Sequence, residues 1–285
     1  MRVESLPESL EQAGELLAGR PVLALTGAGL STDSGIPDYR GPGSPRATPM
    51  TFEAFRSGVE ARQRYWARSH VGWARMRTAE PNQGHRALAD WERSGSLRGL
   101  ITQNVDGLHR AAGQRSVIDL HGRLSDVICL DCRRISSRVT LQQRLSVLNP
   151  GFTDLHSADS RSAPDGDAVL DDTAAFRVAD CTVCGGVLKP DVVFFGENVP
   201  PERVAMCYAM VERLAPESGP PGALLVAGSS LTVQSGLRFV HRAHRRGVPI
   251  VIVNRGVTRG DPLATVKVDA GCSEVLTALA SASGG

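Results

Sequence analysis

Apolar residues along this chain follow two spacings. In residues 4–18, leucines at 6, 10, 16 and 17 stand among polar residues, the spacing of one buried helix face. Residues 21–26 then read PVLALT, an almost unbroken apolar run that stops at a glycine loop. Continuous runs of that kind suit parallel strands covered on both faces. Similar runs recur at 97–102, 223–227 and 248–253, with a shorter one at 265–268. Helix-like segments lie between several of them, at 84–93, 231–246 and 273–280. Strand alternating with helix predicts an α/β fold with a doubly wound, Rossmann-like parallel sheet.

Two stretches break the alternation. Residues 49–78 are helical in character and carry Phe52, Phe55, Tyr65, Trp66 and Trp73. Residues 129–184 begin and end with paired cysteines, and 149–180 within them are rich in Asp, Ser, Ala and Pro with little periodicity. The expected organisation is one interrupted nucleotide-binding domain, made of 1–48, 82–126 and 186–285. A helical insertion at 49–81 and a metal-binding insertion at 127–185 would together form a small domain.

Composition narrows the class. With 285 residues, 41% hydrophobic and 22% charged, the chain is long and apolar enough to bury a core without disulfides. A formal charge of +2 argues against nucleic acid or a membrane surface as the main partner. Residues 1–20 carry four glutamates and lack the basic start and apolar run of a signal peptide. The longest uncharged stretch, 218–237, is interrupted by Pro220, Pro221 and Gln234, so no membrane span is expected. Six cysteines are too few for a disulfide scaffold, and the chain reads as cytoplasmic. Among 32 basic residues only Lys189 and Lys267 are lysine. That bias fits GC-rich coding.

Candidate chemistry clusters at the predicted strand ends. Gly27, Ala28, Gly29 and Ser31 follow the first strand. Glycines there let a backbone approach a pyrophosphate, and a helix N-terminus supplies donors. The third glycine of the dinucleotide fingerprint is missing, since Thr32 stands in its place. A plain strand-to-helix turn has the same glycines. Gly228, Ser229 and Ser230 follow 223–227, and Asn254, Arg255 and Gly256 follow 248–253. Three small or polar loops at one sheet edge favour a nucleotide crevice over coincidental turns. Cys272 would sit at the same edge, where it also reads as a small buried residue.

Gln103, Asn104, Val105 and Asp106 close the 97–102 strand and offer amides and a carboxylate, a set suited to a carboxamide and to developing positive charge. An Asx-type turn capping the next helix explains the same residues. His121 follows 117–120 and could present an imidazole to the crevice as a base. The other six histidines read as structural.

Cys129/Cys132 and Cys181/Cys184 are two C-x-x-C pairs. Two such turns complete a tetrahedral four-thiolate zinc site with no open position, hence structural rather than catalytic. Redox C-x-x-C pairs or unrelated thiols are the alternatives.

The ordered set is similar to the sirtuins. It comprises GAGLSTDSGIPDYR at 27–40, QNVD at 103–106, HG at 121–122, the paired C-x-x-C motifs, KPDVVFFGE at 189–197, GSS at 228–230 and NR at 254–255. The match runs from Val22 to about Leu279, and Tyr39-Arg40, 63–68, 71–73 and 163–167 resemble class II members. The resemblance implies an NAD-dependent protein-lysine deacylase. Gly27, Ala28, Gly29 and Ser31 would hold the NAD pyrophosphate, and Pro37, Asp38, Tyr39 and Arg40 would belong to a mobile cofactor loop. Gln103, Asn104, Val105 and Asp106 would line the nicotinamide ribose. Gly228, Ser229, Ser230, Asn254, Arg255, Gly256 and Cys272 would surround the adenosine half. Val192, Val193, Phe194, Phe195, Gly196 and Glu197 would pair with the substrate backbone as an added strand. Asn104 and His121 would be catalytic, with His121 the general base.

In that mechanism an acyl-lysine oxygen displaces nicotinamide, and the products are free lysine, nicotinamide and 2′-O-acyl-ADP-ribose. NAD is consumed, and one structural zinc per chain is implied. Tyr65 and Arg68 have the spacing seen in sirtuins preferring malonyl and succinyl groups. In those, alanine stands at the position of Thr32, so a smaller pocket is expected here. Expected partners are acylated proteins, with no nucleic acid or membrane, and the expected state is a monomer. Protein mono-ADP-ribosyl transfer, a non-catalytic NAD sensor and an NAD oxidoreductase are the competing functions.

Overall fold

A computed structural model of the chain describes residues 5–39, 49–156, 167, 168, 170, 172–215 and 219–282. Helix α1 (Leu6–Leu17) leads into β1 (Val22–Thr26), followed by α2 (Phe52–Arg56), α3 (Val59–Thr78), α4 (Gln83–Arg93) and β2 (Leu97–Thr102). Next come α5 (Leu108–Ala111), β3 (Val117–Asp119), β4 (Gly122–Cys129), β5 (Ile135–Ser137), α6 (Arg138–Leu148), α7 (Phe152–His156) and β6 (Leu188–Val192). The chain closes with α8 (Pro201–Glu212), β7 (Ala223–Ala227), α9 (Gln234–Arg245), β8 (Ile250–Val253), β9 (Val266–Val268) and α10 (Cys272–Ala282).

Six strands form a parallel sheet in the order β3-β2-β1-β7-β8-β9. The order reverses between β1 and β7, which is the doubly wound Rossmann-like arrangement with its switch point there. Strand alternation divides the core in two. Val22, Ala24, Leu225 and Val251 face one apolar layer with α1, α4 and α10. Leu23, Leu25, Leu224 and Ile252 face the other, with α8 and α9. Both faces of the sheet are therefore buried, which is why β1 and β7 carry no polar alternation.

A separate apolar cluster unites Phe55, Tyr65 and Trp66 of α2 and α3 with Val127, Leu141, Leu145 and Leu188. It covers an antiparallel three-stranded sheet of order β5-β4-β6. Arg138 ties α6 to α3. Its guanidinium lies 5.4 Å from the Trp66 ring centroid and 4.8 Å from that of Trp73, and it donates to the Ser69 carbonyl. A cation over two aromatic faces keeps electrostatic compensation in a site where only 1% of the residue is exposed.

The expected helix at 231–246 starts three residues late. Leu231 adopts the left-handed region (φ 54°), so the chain turns once more before α9 begins at Gln234. The 248–253 run becomes strand only from Ile250, after Pro249. The insertion at 129–184 contains β5, α6 and α7, of which only α7 falls in the stretch 149–180 that shows little periodicity. Among the described residues no helix is long and apolar enough to cross a membrane.

Candidate active site

One row of paired residues sets the site. Asp119, Thr102, Thr26, Ala227, Val253 and Val268 lie side by side across the sheet as neighbours in register. The loops that follow these residues therefore emerge at one level, at the carboxyl edge. At the switch point two of them interlock. Gly29 N–H donates to the Gly228 carbonyl at 2.8 Å, and a Cβ on Gly228, whose φ is +66°, would fall 2.3 Å from Leu30 N. Glycine is required there by both contact and backbone conformation.

Around this crossing opens a cavity of about 510 Å³. Of the residues expected at the crevice, Gly27, Ala28, Gly29, Ser31, Asp38, Tyr39, Gln103, Asn104, Val105, Asp106, His121, Gly228, Ser229, Ser230, Asn254 and Arg255 line it, as does the whole 192–197 segment. Pro37, Gly256 and Cys272 do not. Cys272 is buried, its thiol faces the Val253 carbonyl at 3.6 Å, and burial pushes that thiol up to about 12. It packs beneath the edge. Arg40 lies outside the described residues.

The floor is a polar network. Asn104 Nδ2 donates to the Gly27 carbonyl at 3.1 Å and to Ser31 Oγ at 3.0 Å. Ser31 in turn donates to Asp106 Oδ2 at 2.7 Å, and Leu108 N–H donates to Oδ1 at 2.9 Å. Burial raises the Asp106 carboxyl, while those two donors oppose the shift. Beside it, Gln103 Nε2 donates to Ser229 Oγ at 2.8 Å. The Gln103 amide packs against Gly236 of α9, where a Cβ would come within 2.6 Å of Oε1.

His121 is held at both ring nitrogens. Nδ1 lies 2.9 Å from the Gln103 carbonyl oxygen, which can only accept, so Nδ1 carries the proton. Nε2 then presents its lone pair to Ser235 Oγ at 2.7 Å. Burial holds the imidazole down at about 4, against the Gln103 carbonyl, which favours the charged form; Arg203 adds to the lowering. At neutral pH His121 is thus a neutral base in a defined tautomer.

The backbone after His121 is equally constrained. Its carbonyl accepts from Val193 N–H at 2.8 Å. Gly122 has φ +81°, and a Cβ there would sit 1.9 Å from the Asp191 carbonyl oxygen. Lys189, only 3% exposed, pins the segment that follows. Its ammonium donates to the carbonyls of Pro190 and Val192 and pairs with Glu197 Oε2 at 3.1 Å. The same carboxylate oxygen accepts from Phe194 N–H at 2.9 Å.

Away from the cavity, the sulfurs of Cys129, Cys132, Cys181 and Cys184 all lie within 4.8 Å of one another. The Cys129–Cys184 and Cys132–Cys181 Sγ distances are 3.6 and 3.8 Å. Four sulfurs each about 2.3 Å from one zinc ion stand about 3.8 Å apart at the edges of a tetrahedron. A disulfide needs about 2.05 Å. The four thiols fit one closed, structural zinc site.

The model of the Sir2 family matches residues 27–235, which spans the glycine crossing, the Asn104–Asp106 network, His121, all four zinc-site cysteines and Ser235. The chain belongs to the Sir2 family. A relative from Mycobacterium avium (strain 104), named NAD-dependent protein deacetylase 1, is 58% identical over 267 residues, covering 93% of this chain and 92% of the relative. A Streptomyces coelicolor protein of the same name is 52% identical, covering 95% and 89%. Among solved structures, a complex of Sir2 with a p53 peptide and NAD+ superposes with a TM-score of 0.68 at 29% identity, covering 98% and 97%. A Sir2 homologue in complex with ADP-ribose gives 0.73 at 30% identity, covering 95% of each chain.

Tyr65, Arg68 and Thr32, the positions compared with malonyl- and succinyl-preferring sirtuins, lie in different surroundings. Tyr65 lines the cavity and packs edge-on to Phe194, with centroids 5.1 Å apart, whereas Arg68 is not among the lining residues. Thr32 is exposed and donates to the Gly29 carbonyl. In the other direction, Ser235 and Arg238 line this sirtuin cavity although the sequence marks them only as part of the helix-like segment 231–246. The late start of α9 brings its first turn to the crevice. The polar Gln234-Ser235 pair, separated by three residues from the loop at 228–230, was the available signal.

Proposed function

We propose that this sirtuin is an NAD-dependent protein-lysine deacetylase that also accepts other acyl groups. The observation that carries the reading is His121, neutral, with its Nδ1 proton on the Gln103 carbonyl and its Nε2 lone pair in the cavity. The relatives named NAD-dependent protein deacetylase support the same activity.

NAD supplies the electrophilic ribose carbon and nicotinamide as leaving group. Gly27, Ala28, Gly29 and Ser31 bind its pyrophosphate, and Gly228, Ser229, Ser230, Asn254 and Arg255 take the adenosine half. The Asn104–Ser31–Asp106 network orients the carboxamide and ribose. The acyl-lysine enters beside 192–197, where its peptide backbone adds as a strand. Its carbonyl oxygen displaces nicotinamide. His121 then removes a ribose hydroxyl proton, the freed oxygen attacks the acyl carbon, the lysine amine leaves with a proton, and one water adds at that carbon to give 2′-O-acyl-ADP-ribose. Tyr65, Phe194 and Leu124 supply apolar walls that exclude competing water. The zinc site stabilises the small sheet and takes no part in the chemistry. Four reduced thiols at the zinc site suit the cytoplasm.

A mixed acyl-peptide library with NAD, read by mass spectrometry, tests this. Wild type removes acyl mass and releases nicotinamide, and His121→Ala loses at least about a hundredfold in rate. Peptides that gain the mass of ADP-ribose would move the assignment to mono-ADP-ribosyl transfer. Failure to release nicotinamide with any acyl peptide would leave an NAD sensor.

A further inference from the structure

An sp² ring nitrogen has one in-plane lone pair, and on His121 Nε2 that lone pair is taken by the Ser235 hydroxyl at 2.7 Å. The opposite nitrogen is committed to the Gln103 carbonyl, so the ring cannot offer a second basic site without losing that bond. Any hydroxyl that is to give a proton to His121 must either push Ser235 aside or pass through it. Ser235 is partly buried, lines the cavity itself, and stands on the first turn of α9, the end nearest the crevice. Gly236 beside it allows α9 to press against Gln103, the residue whose carbonyl fixes the other face of His121. Three elements thus converge to hold one hydroxyl on one lone pair.

We propose that Ser235 is a catalytic proton relay between the ribose of NAD and His121, an inference that rests on the deacylation reading. A serine hydroxyl donates one hydrogen bond and accepts two, so Ser235 can accept from a ribose O–H while still donating to Nε2. In the step that follows nicotinamide release, the ribose proton moves to Ser235 Oγ as the serine's own proton moves to Nε2. The ribose O–H and serine O–H bonds break, and new serine O–H and Nε2–H bonds form. The ribose oxygen keeps the electron pair and attacks the imidate carbon of the acyl group, whose C=N π pair moves onto the lysine nitrogen. His121 becomes imidazolium with Nδ1–H still on Gln103, and Ser235 is regenerated neutral. Displacement of nicotinamide itself moves no proton and needs no relay.

That division defines the test. Ser235→Ala should slow acyl removal from a peptide by about tenfold or more, while exchange of labelled free nicotinamide into NAD, driven by the same peptide, stays within about twofold of wild type. Ser235→Thr should restore acyl removal. The solvent-isotope proton inventory should curve for wild type, with two protons in motion, and become linear for Ser235→Ala. In the ligand-free protein the same change should move the His121 Nε2 nitrogen resonance, which reports the bond without turnover. Acyl removal by Ser235→Ala at or above the wild-type rate would overturn the relay and leave direct transfer to His121. Loss of exchange together with acyl removal would make Ser235 merely structural. Wild type inactive in both assays would sink the deacylation reading instead.

Discussion

Lys189 is one of two lysines in a chain of 32 basic residues, and its surroundings account for it. An ammonium has three N–H donors, and the site offers three acceptors: the Pro190 and Val192 carbonyls and Glu197 Oε2. The charge also lies 4.6 Å from the Phe194 ring centroid. A planar guanidinium would not reach acceptors gathered around a point. Burial lowers the lysine, and the neighbouring Glu197 carboxylate opposes that shift. Lys189→Met strands a carboxylate that also caps Phe194 N–H, and should cost about 3–5 kcal/mol in urea unfolding. Lys189→Arg should lose a measurable part of this, and Lys189→Met with Glu197→Gln should recover some of it. A Lys189→Met protein as stable as wild type would refute the pinning role. The rarity of lysine singled out this residue in the sequence. Its partner could not be read there, because Glu197 returns to it only through the turn at Gly196, which has φ +78°.

Among the elements, the buried parallel strands were legible because burial on both faces leaves a sequence mark, a run without polar interruption. The small sheet left none. β5 is exposed along its length and β4 mixes buried with exposed positions, so neither shows a continuous run. The zinc cysteines were legible by spacing alone, yet their grouping depends on β4 and β6 pairing Cys129 with Leu188. Zinc therefore closes a structure whose strands are weakly specified. Cys132→Ser should lower bound zinc well below one per chain and expose Trp66 and Trp73 in fluorescence, with parallel-sheet circular dichroism largely kept. Full zinc content in that variant would remove Cys132 from the site. At the switch point Gly228→Ala places a Cβ 2.3 Å from Leu30 N in a left-handed backbone. The β1 and β7 loops must then separate, so NAD affinity should fall about tenfold or more while the zinc module is unaffected. Calorimetric titration with NAD checks this, and unchanged affinity would refute the interlock.

Across the whole molecule, buried neutral histidines in both the small module and the sheet domain make the fold sensitive to acid. His70 packs on Phe176 in the small module, with ring centroids 5.5 Å apart, and His85 and His109 lie 4.8 Å apart beneath the crevice. His109 Nε2 meets Thr26 Oγ1 at 2.8 Å, directly before the glycine loop. Burial holds His70, His85 and His121 down at about 4, and His109 well below its ordinary value. Each group binds its proton more weakly when folded than when unfolded. Their stabilisation is therefore complete above the unfolded value of about 6.5 and is lost as pH falls towards 4. Within that window each buried neutral histidine removes on the order of 1.4 kcal/mol per pH unit once the unfolded chain is protonated. Urea midpoints should be flat from pH 8 to 7 and fall steeply between about 6 and 4, before most carboxylates titrate. Replacing His70 with Gln should shallow that slope by close to one proton and leave acyl removal at neutral pH unchanged, because His70 lies outside the cavity. A midpoint constant from pH 7 to 5 would show that these imidazoles are solvated or charged in the native protein. That outcome would also undercut the neutral His121 on which the chemistry depends.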